Sequence, residues 1–171
     1  MALSVAVAVG DEVADLLVQK LSKSMKNLKF GAYTDSTNDF GPVITKQHQQ
    51  SVINHISSAE KQGANIVVDG RNAIVSGYEN GFYVGGTLID KVTPQMDSYK
   101  AEIFGPVLQI VRVATMKDAM SLIDNHEYGN GTCIFTRDGE AARYFSDHIK
   151  VGMVGVNIPL PVPVAYHSFG G

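Results

Sequence analysis

The chain has 171 residues, 44% hydrophobic and 18% charged, with a formal net charge of -3. That length suits one domain with a sizeable core; the mixed signs show no basic stripe of the kind nucleic-acid binding uses, and no apolar run approaches the roughly 20 residues of a membrane helix. The single cysteine, Cys133, allows no internal disulfide and fits a reducing compartment.

Leu3 to Val9 alternates β-branched and small residues and reads as a buried strand; the start lacks the basic leader of a signal peptide. Asp11 is placed to cap a helix running to about Asn27, with Val13, Leu16, Leu17, Leu21, Met25 and Leu28 as its apolar stripe. Residues 29 to 44 have loop composition. Thr45 caps a second helix carrying Val52, Ile53, Ile56 and Ala59 and closed by Gly63. Ile66 to Val68 is a short strand, residues 69 to 81 a glycine-rich surface excursion, and Phe82 to Ile89 extended. The pattern then becomes regular. Strands Val107 to Val113, Thr132 to Thr136 and Met153 to Val156 alternate with two helices. The first is capped by Thr115 with Asp118 in the reciprocal position, the second by Asp138. Strand-helix alternation with short connections predicts an α/β fold, a mostly parallel sheet with helices on both faces.

The most informative segment is Glu102-Ile103-Phe104-Gly105-Pro106-Val107. It sets a carboxylate and an aromatic ring in a short loop that opens into a strand. A carboxylate there can accept two hydrogen bonds from a ribose diol, and a ring two residues on can press against a flat heterocycle. Gly105 and Pro106 shape the turn that presents both. Chemistry alone leaves two readings open: a nucleotide-facing loop, or a surface Glu and a core Phe that merely flank a turn.

Other chemistry-bearing residues point to structure. Cys133 lies mid-strand, where cysteines are commonly inert. His48, His55, His126, His148 and His167 show no metal-ligand grouping, and His48 and His55, seven apart on one helix, read as solvated helix-face histidines. Asn157 ends a strand, where a structural amide and a substrate contact explain it about equally. The chain begins inside an apolar strand and stops at the turn Phe169-Gly170-Gly171, which predicts a piece of a larger protein.

These motifs, taken in order, resemble the aldehyde dehydrogenase superfamily. Glu102 to Val107 is similar to its conserved loop, and Phe40-Gly41-Pro42-Val43-Ile44 to its "GPxI" lead into a helix. Tyr128-Gly129-Asn130-Gly131-Thr132, Ile134-Phe135-Thr136 and Gly155-Val156-Asn157 fall where its later strand motifs fall, and Ser168-Phe169-Gly170-Gly171 is similar to its "FGG" turn. Gly77-Tyr78-Glu79-Asn80-Gly81, Asn157-Ile158-Pro159-Leu160-Pro161-Val162-Pro163 and Ala165-Tyr166-His167 resemble the CoA-acylating branch, the methylmalonate-semialdehyde dehydrogenases. Gly86 stands where the resemblance implies a proline.

The resemblance implies that residues 1 to 171 are a truncated catalytic domain without the dinucleotide-binding domain. The parent would oxidise methylmalonate or malonate semialdehyde with NAD, pass the acyl group to CoA and release carbon dioxide. It would be a cytoplasmic homo-oligomer, or mitochondrial in a eukaryote, with no membrane, nucleic-acid or metal partner. The nucleophilic cysteine would precede Met1, so the chain holds no catalytic residue and is expected to be inactive alone. Glu102 matches the carboxylate that binds the nicotinamide-side ribose, Phe104 the ring against the nicotinamide, and Phe169 an aromatic of the substrate tunnel. Two alternatives remain: a fragment of a non-acylating aldehyde dehydrogenase, and a non-enzymatic assembly module that kept the fold. Truncation predicts an exposed strand edge or apolar area, oligomerisation or marginal stability, and very weak NAD binding.

Overall fold

A computed structural model describes residues 3–159. The chain divides into two units, one spanning Ser4–Ala114 and the other built on residues 115–159 of the described chain.

The first unit holds a four-stranded sheet. Its strands are β1 (Val5–Val9), β2 (Asn65–Val68), β3 (Thr87–Asp90) and β4 (Val107–Val113), in the order β1-β4-β3-β2. β4 is central and pairs in parallel with β1, Val7 opposite Val111, and with β3, Thr87 opposite Val107. β2 runs antiparallel on β3, with a bulge between Ile66 and Val68. Helices α1 (Asp11–Lys26), α2 (Lys46–Lys61) and the single turn α3 (Asp97–Lys100) cover the sheet. Side chains alternate across a strand, so neighbours on β4 report on both faces. Ile110 packs with Ala8, Leu88 and Ala14 of α1, joined by Leu17, Val18, Leu21 and Met25. Gln109 points the other way, and its Nε2 donates to the Ser98 carbonyl of α3 at 3.0 Å. Both faces are therefore covered, which is why β3 is buried along its whole length.

Charge ties α1 to the sheet. The Arg112 guanidinium bonds Asp90 at 2.7 Å, Asp15 at 2.8 Å and Asp11 at 3.4 Å. The Asp90 side chain is only 3% exposed, so Arg112 supplies the countercharge that lets a carboxylate be buried there. Arg71 makes a second, more exposed knot with Asp69 and Glu60, both at 2.6 Å. Its bonds to Asp69 hold that carboxyl below the usual carboxylate range.

The excursion after β2 is drawn in at its base. The Gly85 N–H donates to the Gly70 carbonyl at 2.9 Å, and the Gly70 N–H donates to Thr87 Oγ1 at 3.0 Å. The two backbones approach so closely that a Cβ on Gly70 would lie 2.0 Å from the Gly85 oxygen. Only glycine fits there. The tip carries exposed Ile74 and Tyr78.

The second unit holds α4 (Met116–Asp124), β5 (Gly131–Ile134), α5 (Gly139–His148) and β6 (Met153–Val156). β5 and β6 pair in parallel. Met120, Phe145 and Ile149 form its core, with Met116, Ile123, Ile134, Val151 and Val154 packed around them. Thr115 and Asp118 close the expected capping box, and the Asp138 side chain accepts from the Glu140 and Ala141 N–H groups.

The α/β reading, with parallel pairing and helices on both faces, holds. Several particulars differ. The strands form two sheets among the described residues, and β2 adds an antiparallel edge. Asp11 is not the α1 cap: Gly10 occupies that position at φ 89, a conformation that favours glycine, and Asp11 sits in the first turn where the helix dipole favours it. The α1 stripe is rotated. Val13 (57%) and Leu16 (51%) are exposed, while the smaller Ala14 is fully buried, so the line facing the sheet runs through Ala14, Leu17, Val18, Leu21 and Met25. β3 begins only at Thr87, because the preceding residues make the glycine contact with Gly70. α3 has no counterpart in the sequence reading.

Candidate functional site

The segment between α3 and β4 presents its residues alternately. Ile103 is 7% exposed and anchors the loop, while Glu102 and Phe104 on either side face solvent. Phe104 is 77% exposed and has φ 56. A bulky L-residue in the left-handed region costs about 1–2 kcal/mol, and leaving a phenyl ring in water forgoes most of the roughly 1.5–3 kcal/mol that burial contributes. Two unfavourable choices thus coincide on one residue. Among the described residues Phe104 belongs to no core, unlike its neighbour Ile103. The Glu102 carboxylate takes no hydrogen bond or ion pair from any described residue, which leaves its oxygens open to an incoming donor.

The loop is held from three sides. Gly105 lies against α2 so tightly that a Cβ would stand 2.8 Å from Val52 Cγ2. The Val107 N–H donates to the Gly105 carbonyl at 2.8 Å, folding the chain around Pro106, and the Thr87 N–H donates to the Pro106 carbonyl at 2.8 Å. The Phe104 carbonyl meets His48 Nε2 at 2.9 Å. A carbonyl only accepts, so His48 carries its proton on Nε2. His48 sits in the first turn of α2, where its N–H donates to Thr45 Oγ1 at 3.1 Å. The next residue, Gln49, donates from Nε2 to the Tyr83 carbonyl at 2.7 Å, and the Val43 N–H donates to the Phe82 carbonyl at 3.0 Å. These bonds fix the start of α2 beside the loop.

The geometry revises one expectation and resolves another. His48 is not simply a solvated helix-face histidine, because its ring bonds the loop backbone. Nothing local in the sequence marks this contact, since its partners are 56 residues apart. Asn157 proves structural. Its Oδ1 accepts from the Thr136 N–H and its Nδ2 donates to the Thr136 carbonyl, each at 2.9 Å. A side-chain amide thus replaces the next rung between β5 and β6, and β5 ends at Ile134 rather than Thr136. Cys133 is half-buried mid-strand, opposite Gly155. His148 Nδ1 meets the Tyr144 carbonyl at 2.8 Å, and the two rings stack at 4.1 Å. Among the described residues no three His, Cys, Asp or Glu side chains gather as a metal site, and no helix is long and apolar enough to cross a membrane. Phe169 lies outside the described residues.

Comparison with known proteins places this geometry in context. The profile of the aldehyde dehydrogenase family matches residues 2–171. Malonate-semialdehyde dehydrogenase of Pseudomonas aeruginosa is 63% identical over the whole chain, which spans 34% of that protein. The human acylating methylmalonate-semialdehyde/malonate-semialdehyde dehydrogenase is 47% identical over the whole chain, which spans 32% of it. The chain therefore spans about a third of the length of the curated relatives it matches. Among solved structures, methylmalonate-semialdehyde dehydrogenase of Oceanimonas doudoroffii is 75% identical with a TM-score of 0.96, covering 99% of this chain and 35% of its own. A Sinorhizobium meliloti 1021 relative crystallised with NAD is 56% identical with a TM-score of 0.97, again covering 99% and 35%.

Proposed function

Because the chain belongs to the aldehyde dehydrogenase family, we propose that it supplies the cofactor-facing part of the catalytic domain of an NAD-dependent, CoA-acylating (methyl)malonate-semialdehyde dehydrogenase. The observation that carries this reading is Phe104: an exposed aromatic ring on a strained backbone, beside an exposed carboxylate, on a loop fastened at three points. Such an outlier persists only where the surroundings over-determine it, which is common at ligand-gripping sites.

The residues present fit a nicotinamide nucleotide. Glu102 accepts hydrogen bonds from the hydroxyls of the ribose next to the nicotinamide. Phe104 offers a ring face to the flat base and shields it from water. The bound cofactor supplies a hydride acceptor for oxidation of the aldehyde carbon. Cys133 is not the nucleophile of this reading, since its strand position points to packing. The chain is then inactive by itself, and NAD held at one end only is held weakly. The identity with the P. aeruginosa and human enzymes supports a semialdehyde substrate, and the human relative's acylating activity supports CoA as acceptor. We place the parent in the cytoplasm, or in the mitochondrion of a eukaryote, as a homo-oligomer.

The test uses nicotinamide mononucleotide, which carries only the base and its ribose. Titrated into the purified protein and followed by NMR, its ring protons should shift upfield. The shift should vanish with Phe104→Ala and weaken with Glu102→Gln. A wild-type protein that leaves those protons unmoved overturns the cofactor reading. NADH formation from malonate semialdehyde by the chain unaided overturns the expectation of inactivity, and turnover in a reconstituted enzyme that ignores CoA overturns the acylating assignment.

A further inference from the structure

We propose that His48 is a positioning residue for the nucleotide grip: by donating from Nε2 to the Phe104 carbonyl it holds that residue in the left-handed region and so aims the ring. The inference rests on the reading that Glu102 and Phe104 hold the nicotinamide end.

The argument starts from the backbone. Phe104 has φ 56, and an L-residue left to itself relaxes toward negative φ. Its peptide needs external restraint. Gly105 against Val52 and Pro106 against Thr87 restrain the chain after Phe104. Among the described residues only His48, at 2.9 Å, restrains the carbonyl of Phe104 itself. Rotating that peptide would carry the carbonyl away from α2 and swing the side chain that leaves the same Cα. The exposed ring has little packing to resist such a swing. The donor, by contrast, is well fixed. His48 stands on a helix of sixteen residues whose first turn is capped by Thr45 and bonded through Gln49 to Tyr83. A rigid element thus reaches a loop far away in sequence and sets the aim of its side chain through the backbone carbonyl.

Three variants test this with nicotinamide mononucleotide as probe. His48→Leu removes the donor and keeps bulk. His48→Gln restores an amide donor on a side chain of similar reach. His48→Asn keeps the amide but is too short, and takes the place of His48→Leu if that variant fails to fold. Losing one neutral hydrogen bond predicts about three- to tenfold weaker binding for His48→Leu, with recovery to within about twofold for His48→Gln. The backbone chemical shifts of Phe104 should leave left-handed values in the first variant and return in the second. If His48→Leu binds as wild type while Phe104→Ala loses binding, the grip stands and the positioning role falls. If both His48→Leu and His48→Gln weaken binding while Phe104 keeps its left-handed shifts, the hydrogen bond is not the cause and the inference is overturned. If Phe104→Ala binds as wild type, the underlying reading fails and takes this one with it.

Discussion

Replacing Phe104 by glycine and by alanine isolates the backbone strain at the loop. Both changes remove the ring, and at 77% exposure only about a quarter of its area is buried. Truncation therefore forfeits about 0.5 kcal/mol of burial in either case. Alanine keeps the cost of holding an L-residue at φ 56, about 1–2 kcal/mol. Glycine sheds it but brings a more flexible unfolded chain, which returns about 0.4–1 kcal/mol of the gain. The glycine variant should therefore be more stable than the alanine variant by up to about 1.6 kcal/mol, with about 0.8 kcal/mol as the central value. In ordinary backbone the order is reversed by about the same amount. Paired urea titrations, read by circular dichroism at 25 °C with a shared slope, resolve a difference of that size. Because the sign is predicted and not only the size, the comparison is decisive. An alanine variant more stable than the glycine variant by 0.5 kcal/mol or more, a margin taken from the glycine penalty in ordinary backbone, refutes the claim that Phe104 is held under strain.

Three further outcomes follow from the packing. Arg112→Ala strands the Asp90 carboxylate in a site 3% exposed and should cost about 3 kcal/mol in urea unfolding; adding Asp90→Asn should recover part of that loss. Gly70→Ala drives a methyl to 2.0 Å from the Gly85 oxygen, and the backbone shift it forces should lower stability by at least ~2 kcal/mol; a thermal melt unchanged from wild type would contradict the close approach. The Asp69 carboxyl, depressed by Arg71, stabilises the fold in full above its unfolded value of about 3.9 and loses that contribution as pH falls through its lower folded value. Its side chain is 38% exposed, so the effect is under ~1 kcal/mol. The stability gap between wild type and Asp69→Asn should accordingly be constant above about pH 4 and shrink below it.

What the amino acids disclosed depended on how local the cause was. Capping signals act within one turn, and Thr45, Thr115 with Asp118, and Asp138 cap the helices where the pattern placed them. β4 and β6 were legible because their β-branched runs are bracketed by local signals, Pro106 and the Thr115 helix cap for β4 and Gly152 and Asn157 for β6. α1 was misplaced by rotation, since large side chains outweigh a small one in any hydrophobic pattern. Yet Ala14 is the residue that lets the helix approach the sheet. The strand limits at β3 and β5 were set by contacts with Gly70 and Asn157, partners too distant for periodicity to register. The same reason hid His48. Glu102 and Phe104 stood out as chemistry, but only the coordinates separated an exposed ring from a core one.

The glycine contact between residues 70 and 85 has a consequence for how this surface tolerates change. Cinched there by the Gly85–Gly70 backbone bond and the Thr87 hydroxyl, the excursion resembles a drawstring bag whose mouth is fixed while its tip lies in solvent. Added residues near Gly77, where φ is 80 and the chain already turns in solvent, alter only closure entropy, about 0.6 kcal/mol for each doubling of length. Added bulk at the mouth would instead pry β2 from β3. Variation in length is thus channelled outward to one bulge of the surface, where a grafted peptide or tag can be carried without disturbing the strands behind it.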